Sequence, residues 1–467
     1  MAGRGVVEKR NSRYSAKSLM EPLTDYEYVT ASVIDKTELG SALLLAHQTE
    51  LEEVNTVPCF FWGRLREPYL TARCLMTIAK TVRSRFALSM QELMALRDPI
   101  VTAGAGKVRF EGFSSCNGVY ARLDILPEGL DGEFLASGTT NVDFNEPMIN
   151  ALNSITKTEN MVLSVGQQSV TVISDKAKVV ERKVNLPNRW IKGLTSVQHY
   201  LAEMQPVFTL TRPQAIQLFQ SLPKGTVKAD VYIVQRAGKF LFSPLRQGQG
   251  VRVGGAHRLR LMEGLLPFLD SLTVYQSDDG QSAGFVLIMS ALQLVFAFSG
   301  DTYRGFSGEG KALEHLLDDL PVEAIYGVNS LLKANETFNP TLLSIEHDVD
   351  FGSMNTLTAQ LSSIGLLGFD LVNNTHFYRR LPFKTARILS LNPRLKNARR
   401  LVTENTVQLI RQTPTYVEAR VKGTGDVVHT VLIDNGHARC TCDWFTNHQG
   451  KRGLCKHVLA VKMLTEQ

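Results

Sequence analysis

Cysteine is scarce here: six in 467 residues. That is too few for a disulfide framework and points to the reducing cytoplasm. Cys59, Cys74 and Cys116 are scattered through unrelated segments. Long apolar runs are also missing. The longest, Phe285 to Phe298, holds Ser290 and Gln293 and falls short of the roughly 20 residues a membrane helix needs. It reads as a buried strand or core helix, and no membrane role is expected. The opening MAGRGVVEKRNSRYSAKS has no apolar stretch of the secretory kind. No phosphate-binding loop is present. Gly248, Gly250, Gly254 and Gly255 are not at GxGxxG spacing, and Lys311 in RGFSGEGKAL is followed by Ala312 instead of Ser or Thr. Without a CxxC pair, dithiol redox chemistry is excluded. No repeat of fixed period is visible.

Composition is otherwise that of a globular protein, with 44% hydrophobic and 21% charged residues. A net charge of +6 permits an anionic partner without demanding one. The length suits several domains. The chain reads as α+β and multi-domain, with mixed strands and helices upstream and a ββ(β)α zinc-binding module at the C-terminus. Residues 1–20 read as a basic flexible tail, 21–185 as an N-terminal α+β domain, 186–410 as a middle α+β region ending in a basic stretch, and 411–467 as the zinc module.

Periodicity places the upstream elements. Leu70, Cys74, Ile78 and Val82 step by four along an amphipathic helix from about Tyr69, and Met90 to Arg97 extends the helical reading. KVRFEGF, GVYARLDIL, GEFLASG, MVLSVG and SVTVIS read as strands, broken by a helix near Asn145 to Thr156. LPNRWIKGL reads as a helix start docking Trp190 in an interface, in preference to an aromatic binding anchor. Thr211 and Pro213 signal another helix start, VKADVYIVQ and KFLFSPL read as strands, and GQGVRVGGAHRLRL as a flexible turn region.

The clearest chemistry lies at the end: Cys440-x-Cys442, then Cys455-x-His457, with twelve residues between the pairs. Three sulfurs and an imidazole complete a tetrahedral Zn²⁺ shell with no position left for substrate, the signature of a structural site. Residues two apart in a strand share a face, so an extended Cys440–Cys442 chelates. Two apart on a helix they diverge, so Cys455 belongs at a helix entry and His457 in its first turn. Leu454, Val458 and Val461, widened by Leu459 and Met463, give that helix its apolar stripe. Upstream, Tyr416 to Lys422 and Val427 to Asp434 alternate as strands, and Asn435-Gly436 is a hairpin turn. The module is thus expected as a three-stranded meander, a long loop and a helix. His437 and His448 read as solvated turn residues.

From Leu371 to Thr403 no acidic residue occurs. Arg379, Arg380, Lys384, Arg387, Arg394, Lys396, Arg399 and Arg400 fall there, interleaved with Phe377, Tyr378 and Phe383. Cations with aromatics suit phosphate contact and base stacking. The competing reading is a solvated face beside acids such as Asp318, Asp319 and Asp370. Lys456, beside the second ligand pair, joins the candidate nucleic-acid contacts.

RCTCDWFTNHQGKRGLCKHVLAVKML resembles the SWIM zinc finger, and particularly the bacterial SWIM finger proteins. The resemblance extends from about Phe61 through RFALSMQELMALRDPIVTAG, RFEGFSSCNGVYARLDIL, GTTNVDFN, LPNRWIKGL and GAHRLRLMEGLLPFLD. It implies a zinc-dependent module that binds DNA or protein. For the bacterial family it implies company with MoxR-type AAA ATPases and von Willebrand A proteins. No nucleophile–base set is legible: Cys116 has no assignable histidine, and Asp143, Asp175 and Glu181 stand alone. The expectation is a non-enzymatic recognition protein touching DNA, with a protein adaptor as the alternative and an enzyme in the upstream domain as a third.

Overall fold

The computed structural model describes residues 34–37, 40–43, 59–84, 99–142, 144–166, 170–179, 188–227, 229–300, 302, 305–306, 337–347, 350–379, 381, 393–423, 425, 427–450 and 453–465. The expected tail at 1–20, the Met90 to Arg97 helix and RGFSGEGKAL beyond Phe306 lie outside them. Mixed helices and strands make the chain α+β, as the sequence implies.

The strands in chain order begin with a hairpin, β1 (Ile34–Thr37) and β2 (Gly40–Leu43). Next come β3 (Cys59–Leu65), β4 (Ile100–Gly104), β5 (Lys107–Phe113), β6 (Val119–Ile125), β7 (Leu130–Phe134), β8 (Gly138–Asn141), β9 (Met161–Gly166), β10 (Val170–Ser174) and β11 (Lys178–Val179). The next group is β12 (Met204–Thr211), β13 (Val231–Arg236), β14 (Lys239–Ser243), β15 (Val251–Val253), β16 (Ser271–Ser277), β17 (Ala283–Met289) and β18 (Leu292–Phe298). Helices among them are α1 (Pro68–Arg83), α2 (Glu146–Ser154), α3 (Asn188–Ala202) and α4 (Arg212–Gln220). Asn145 caps α2, accepting from Met148 N at 3.4 Å. Thr211 opens α4 with its N–H on Gln214 Oε1 at 2.9 Å.

One eight-stranded antiparallel sheet, in the order β12-β16-β17-β18-β6-β5-β4-β8, dominates. The pairing of β18 with β6, Leu292 opposite Ile125 through Phe298 opposite Val119, joins strands from both sides of the division expected at residue 185. Those two stretches therefore share a core. The Phe285 to Phe298 run is a hairpin, β17–β18, in the middle of the sheet. Five strands form a second sheet, β11-β10-β9-β3-β7.

Alternation in β5 and β6 divides two unlike faces. Val108, Phe110, Ala121, Leu123 and Ile125 face α1. Arg109, Glu111, Tyr120, Arg122 and Asp124 form the other face, and all are buried. What covers them is the three-stranded sheet of β19 (Thr337–Phe338), β20 (Leu367–Asp370) and β21 (Thr375–Tyr378), aided by α3. Its helices α5 (Pro340–His347) and α6 (Phe351–Ser363) precede β20. Arg122 grips Asp124 at 2.8 Å and donates to Phe369 O at 2.6 Å. Lys107 meets Asp370 at 2.9 Å, and Arg109 lies over the Phe377 ring at 4.0 Å. Burying so many charges demands partners for each.

The expected flexible turn at GQGVRVGGAHRLRL is instead ordered. It supplies β15 and a 3₁₀ helix, Ala256–Phe268. Gly255 enters that helix at φ +56°, where a side chain would be strained. Arg258 is wholly buried and donates to Gly118 O at 2.7 Å and Ser299 O at 2.6 Å. Trp190 is buried against Phe113, as the docking reading of LPNRWIKGL expects.

Candidate metal centre

The C-terminal module begins earlier than residue 411. Helix α7 (Pro393–Thr403) leads into a four-stranded antiparallel sheet: β22 (Val407–Gln412), β23 (Tyr416–Lys422), β24 (Val428–Asp434) and β25 (His437–Cys440). β22 is an extra strand beyond the expected meander. Its alternation is broken by a bulge between Leu409 and Arg411, which hides it from a period-2 reading. The Asn435-Gly436 turn takes positive φ at both residues, 47° and 80°, as a tight hairpin requires.

The expected long loop contains a short helix, α8 (Asp443–His448). Then comes α9 (Lys456–Thr465), on which Val458, Leu459 and Val461 are buried. α9 packs between the sheet and α7. Val417, Ala419, Val421, Val431 and Ile433 supply the sheet's side of this small core.

These elements bring four side chains to one point. Cys440 ends β25, Cys442 precedes α8, Cys455 precedes α9 and His457 sits in α9's first turn. Their ligand atoms all lie within 4.8 Å of one another, and all four residues are buried. His457 Nδ1 is 3.8 Å from Cys440 Sγ. Zinc–sulfur bonds of about 2.3 Å and zinc–nitrogen bonds of about 2.0 Å imply ligand-to-ligand edges of roughly that length. Phe445 N donates to Cys442 Sγ, and Val458 N to Cys455 Sγ, each at 3.5 Å. Such N–H groups at helix starts favour sulfur as thiolate. The donor set therefore fits zinc.

Without a cation, three sulfurs this close cannot all ionise. The Cys440 thiol is driven far above its ordinary range by hydrogen bonding to the Cys442 and Cys455 sulfurs, with burial adding to it. Cys442 is driven far below, since the Cys440 and Cys455 thiols donate to its thiolate. Cys455 feels the Cys440 thiol as a lowering influence, but Cys442 and burial outweigh it and raise it to about 11. A divalent cation resolves this crowding and displaces the protons.

His429 on β24 stacks beside His457, ring centroids 4.4 Å apart, and forms one wall of the site. Burial and the neighbouring His457 hold its pKa below the usual histidine value. His448 packs against Trp444, and His437 is exposed. Among the described residues no other His, Cys, Asp and Glu cluster has this character. Cys59, Cys74 and Cys116 lie elsewhere; Cys74 is buried in α1, where burial and Glu67 push its thiol far up.

The expected nucleic-acid residues separate into groups. Arg379 corrects the sequence reading: it is buried, pairs with Glu111 and donates to Leu194 O at 2.8 Å. Its charge is spent on the carboxylate of β5, so it is closed to phosphate. Asp370, suggested as a counter-charge for the basic stretch, serves Lys107 and Arg122 instead. Arg380, Lys384 and Arg387 lie outside the described residues. Arg394 binds the finger, donating to Leu454 O at 2.9 Å and lying 4.5 Å over Trp444. Lys396, Arg399 and Arg400 are exposed on α7, with Arg400 3.9 Å from Glu404. Lys456 is half-buried at the start of α9.

Residues 429–464 match the family model of the SWIM zinc finger, and this segment is a SWIM zinc finger with a Cys₃His cluster suited to zinc. No curated protein matches the chain. Among solved structures it is similar to the proliferating cellular nuclear antigen of Entamoeba histolytica, at 12% identity over 52% of this chain and 98% of that chain, TM-score 0.35. It is also similar to the PCNA2–PCNA3 complex of Sulfolobus tokodaii, at 8% identity over 51% and 98%, TM-score 0.33. Likenesses of that size carry no weight for function. No helix among the described residues is long and apolar enough to cross a membrane.

Proposed function

We propose that this protein is a non-catalytic cytoplasmic recognition protein whose zinc-clipped C-terminal module contacts DNA. Cys440, Cys442, Cys455 and His457 hold the metal, whose role is to fix β25, α8 and α9 together. A closed shell of four protein ligands leaves no open position, so the zinc is structural.

The observation that carries the DNA reading is where the charge sits. Of the chain's 51 Lys and Arg and 45 Asp and Glu, twelve and six fall in residues 393–467. Upstream of them the charges balance, so the whole +6 belongs to the finger and α7. A local positive excess on a small module is the electrostatic footprint of a polyanion partner. Of the contacts expected from the sequence, Lys396, Arg399, Arg400 and Lys456 lie in that footprint, whereas Arg394 is turned inward and Arg379 is buried upstream of it.

The test is a salt titration of the zinc-loaded full chain on a random-sequence duplex. Affinity should fall with a log–log slope of about −0.9 per phosphate neutralised, nearly independent of sequence. Stripping the zinc should abolish binding while the upstream sheet stays folded. Absence of binding at low salt defeats this reading.

A second reading, a protein adaptor for an AAA ATPase or von Willebrand A partner, has one observation behind it. Leu409 and Ile410 stand 38% and 47% exposed on β22, an edge strand open to strand addition.

A further inference from the structure

We infer that the nucleic-acid contact of the finger is the outer face of its four-stranded sheet, centred on Arg411, Arg420, Lys422 and Arg439. The inference rests on the DNA reading above and names the surface that serves it.

Strand register defines this face. Val417, Ala419 and Val421 of β23 turn inward to α9, so Glu418, Arg420 and Lys422 turn outward. Directly opposite residues share a face. Gln408 lies across from Arg420, and Arg411 across from Glu418. On the other side Arg420 pairs with Thr430, and Lys422 with Val428. Leu432 pairs with Arg439 of β25. Neither α9 nor α7 reaches this side, because α9 fills the inner face and α7 lies behind it.

The four cations are exposed. The side chains of Arg420, Lys422 and Arg439 make no ion pair or hydrogen bond among the described residues, and that of Arg411 makes only a cation–π contact with Tyr416 at 5.5 Å. The acid among them, Glu418, accepts the Tyr416 hydroxyl at 3.4 Å. Asp434 lies at the end of the face, where it accepts from Asn435. By contrast, α7 on the opposite side carries Arg400 beside Glu404 and turns Arg394 inward to Leu454 and Trp444.

Geometry suits a phosphate backbone. Strands sit about 4.8 Å apart and alternate residues roughly 6.6 Å apart. Arg411 and Arg439, on the two edge strands, are therefore separated by roughly 14 Å, with Arg420 and Lys422 between them. A span of that size is comparable with the roughly 12 Å width of a B-DNA major groove, whose rims are phosphates. Gln408, Thr430 and Thr441 on the same face add uncharged donors. A protein interface would want an apolar or aromatic centre depleted of charge; here the centre is Arg420 and Thr430, with Leu432 half-buried.

The experiment compares two charge reversals in the full zinc-loaded chain, each verified for zinc content and fold. Arg420→Glu with Arg439→Glu should raise the apparent Kd for a random 30-bp duplex by at least about tenfold at 0.1 M salt, and make the log–log slope shallower by about 2. Lys224→Glu with Lys239→Glu, exposed on the upstream body and outside the finger's positive footprint, should change the Kd less than about threefold by the same electrostatics. If the sheet-face reversal disturbs the finger, Arg420→Gln with Arg439→Gln replaces it, with the same loss of slope. A wild-type chain that binds while both sheet-face variants bind equally well overturns this inference and leaves the DNA reading standing. A wild-type chain that fails to bind at low salt defeats the DNA reading, and this surface with it.

Discussion

Strands β6 and β22 have similar lengths and opposite fates. All seven residues of β6 are buried, Arg122 and Asp124 included, whereas five of the six in β22 are exposed. The first is roofed on both faces, by α1 and by the β19-β21-β20 sheet. The second edges a sheet covered on one side by a single helix. A strand enclosed twice draws stability from area removed from water, about 25 cal/mol per Å² of apolar surface. A small module with one thin core has little such area, and a metal must complete it. The comparison predicts that the two regions fail by different causes and independently.

Removing a zinc ligand should produce the largest effect. Cys440→Ser or His457→Ala should cost the protein its zinc and unfold residues 407–465, because structural zinc binding contributes roughly 10 kcal/mol or more to such modules. Hydrogen exchange should show β22 to α9 unprotected while β5, β6 and β18 keep their slow amides. Loss of protection in both regions together would show that they share one cooperative unit. Retention of about one zinc per chain would remove these residues as ligands.

The converse experiment breaks the body and spares the finger. Arg379→Ala leaves Glu111 buried with only Tyr120 donating to it, at 2.6 Å. Arg379 and Glu111 are both fully enclosed, and orphaning one member of a buried pair costs about 3–5 kcal/mol. Urea unfolding of the upstream sheet should register that loss with zinc content unchanged. Replacing both partners, Arg379→Met with Glu111→Leu, should recover much of it, since apolar pairs of similar volume avoid the desolvation cost. A double variant as unstable as the single one would show that Tyr120 and Leu194 depend on the pair for more than its charge.

The same pair shows where sequence reasoning stops. The zinc ligands were legible because chemistry fixes their number and local geometry fixes their spacing: CxC fits the strand end, and CxH fits a helix entry. The hairpin turn at Asn435-Gly436 and the capped start of α4 were legible for the same local reason. KVRFEGF also declares itself as a strand, yet its alternation suggests Arg109 and Glu111 face water. Only the arrival of β20 and β21 from more than 240 residues away buries them. The fate of Arg379 was hidden equally: nothing local separates a buried arginine from its solvent-facing neighbours Arg399 and Arg400. β22 escaped notice because its bulge breaks the two-residue period. The pairing of β18 with β6 across residue 185 was hidden because sheet pairing ignores sequence distance.

The smallest expected effect sharpens the contrast by pH. His376 on β21 is buried between Phe338 and Phe369, ring centroids 5.6 and 5.0 Å away, and its Nδ1 has no partner. Burial lowers its pKa to about 4, against about 6.5 when unfolded. Between those values the unfolded chain binds a proton that the folded chain refuses, so stability falls as pH drops from about 6.5 towards 4. The loss from neutral pH to pH 5 is about 2 kcal/mol on this linkage. Asp370, next along β20 from Phe369, the strand partner of His376, acts lower still. Burial opposes its charge, but Arg122 and Lys107 outweigh that and hold its pKa well below the usual carboxylate range. Its contribution is present above the unfolded carboxyl pKa and is lost as pH falls further. His376→Phe should therefore flatten the stability profile of the upstream body between pH 6.5 and 4 and leave the drop at lower pH intact. An unchanged profile would mean that His376 meets water as the roof opens and that the β20–β21 hairpin is not held as tightly as β6 beneath it.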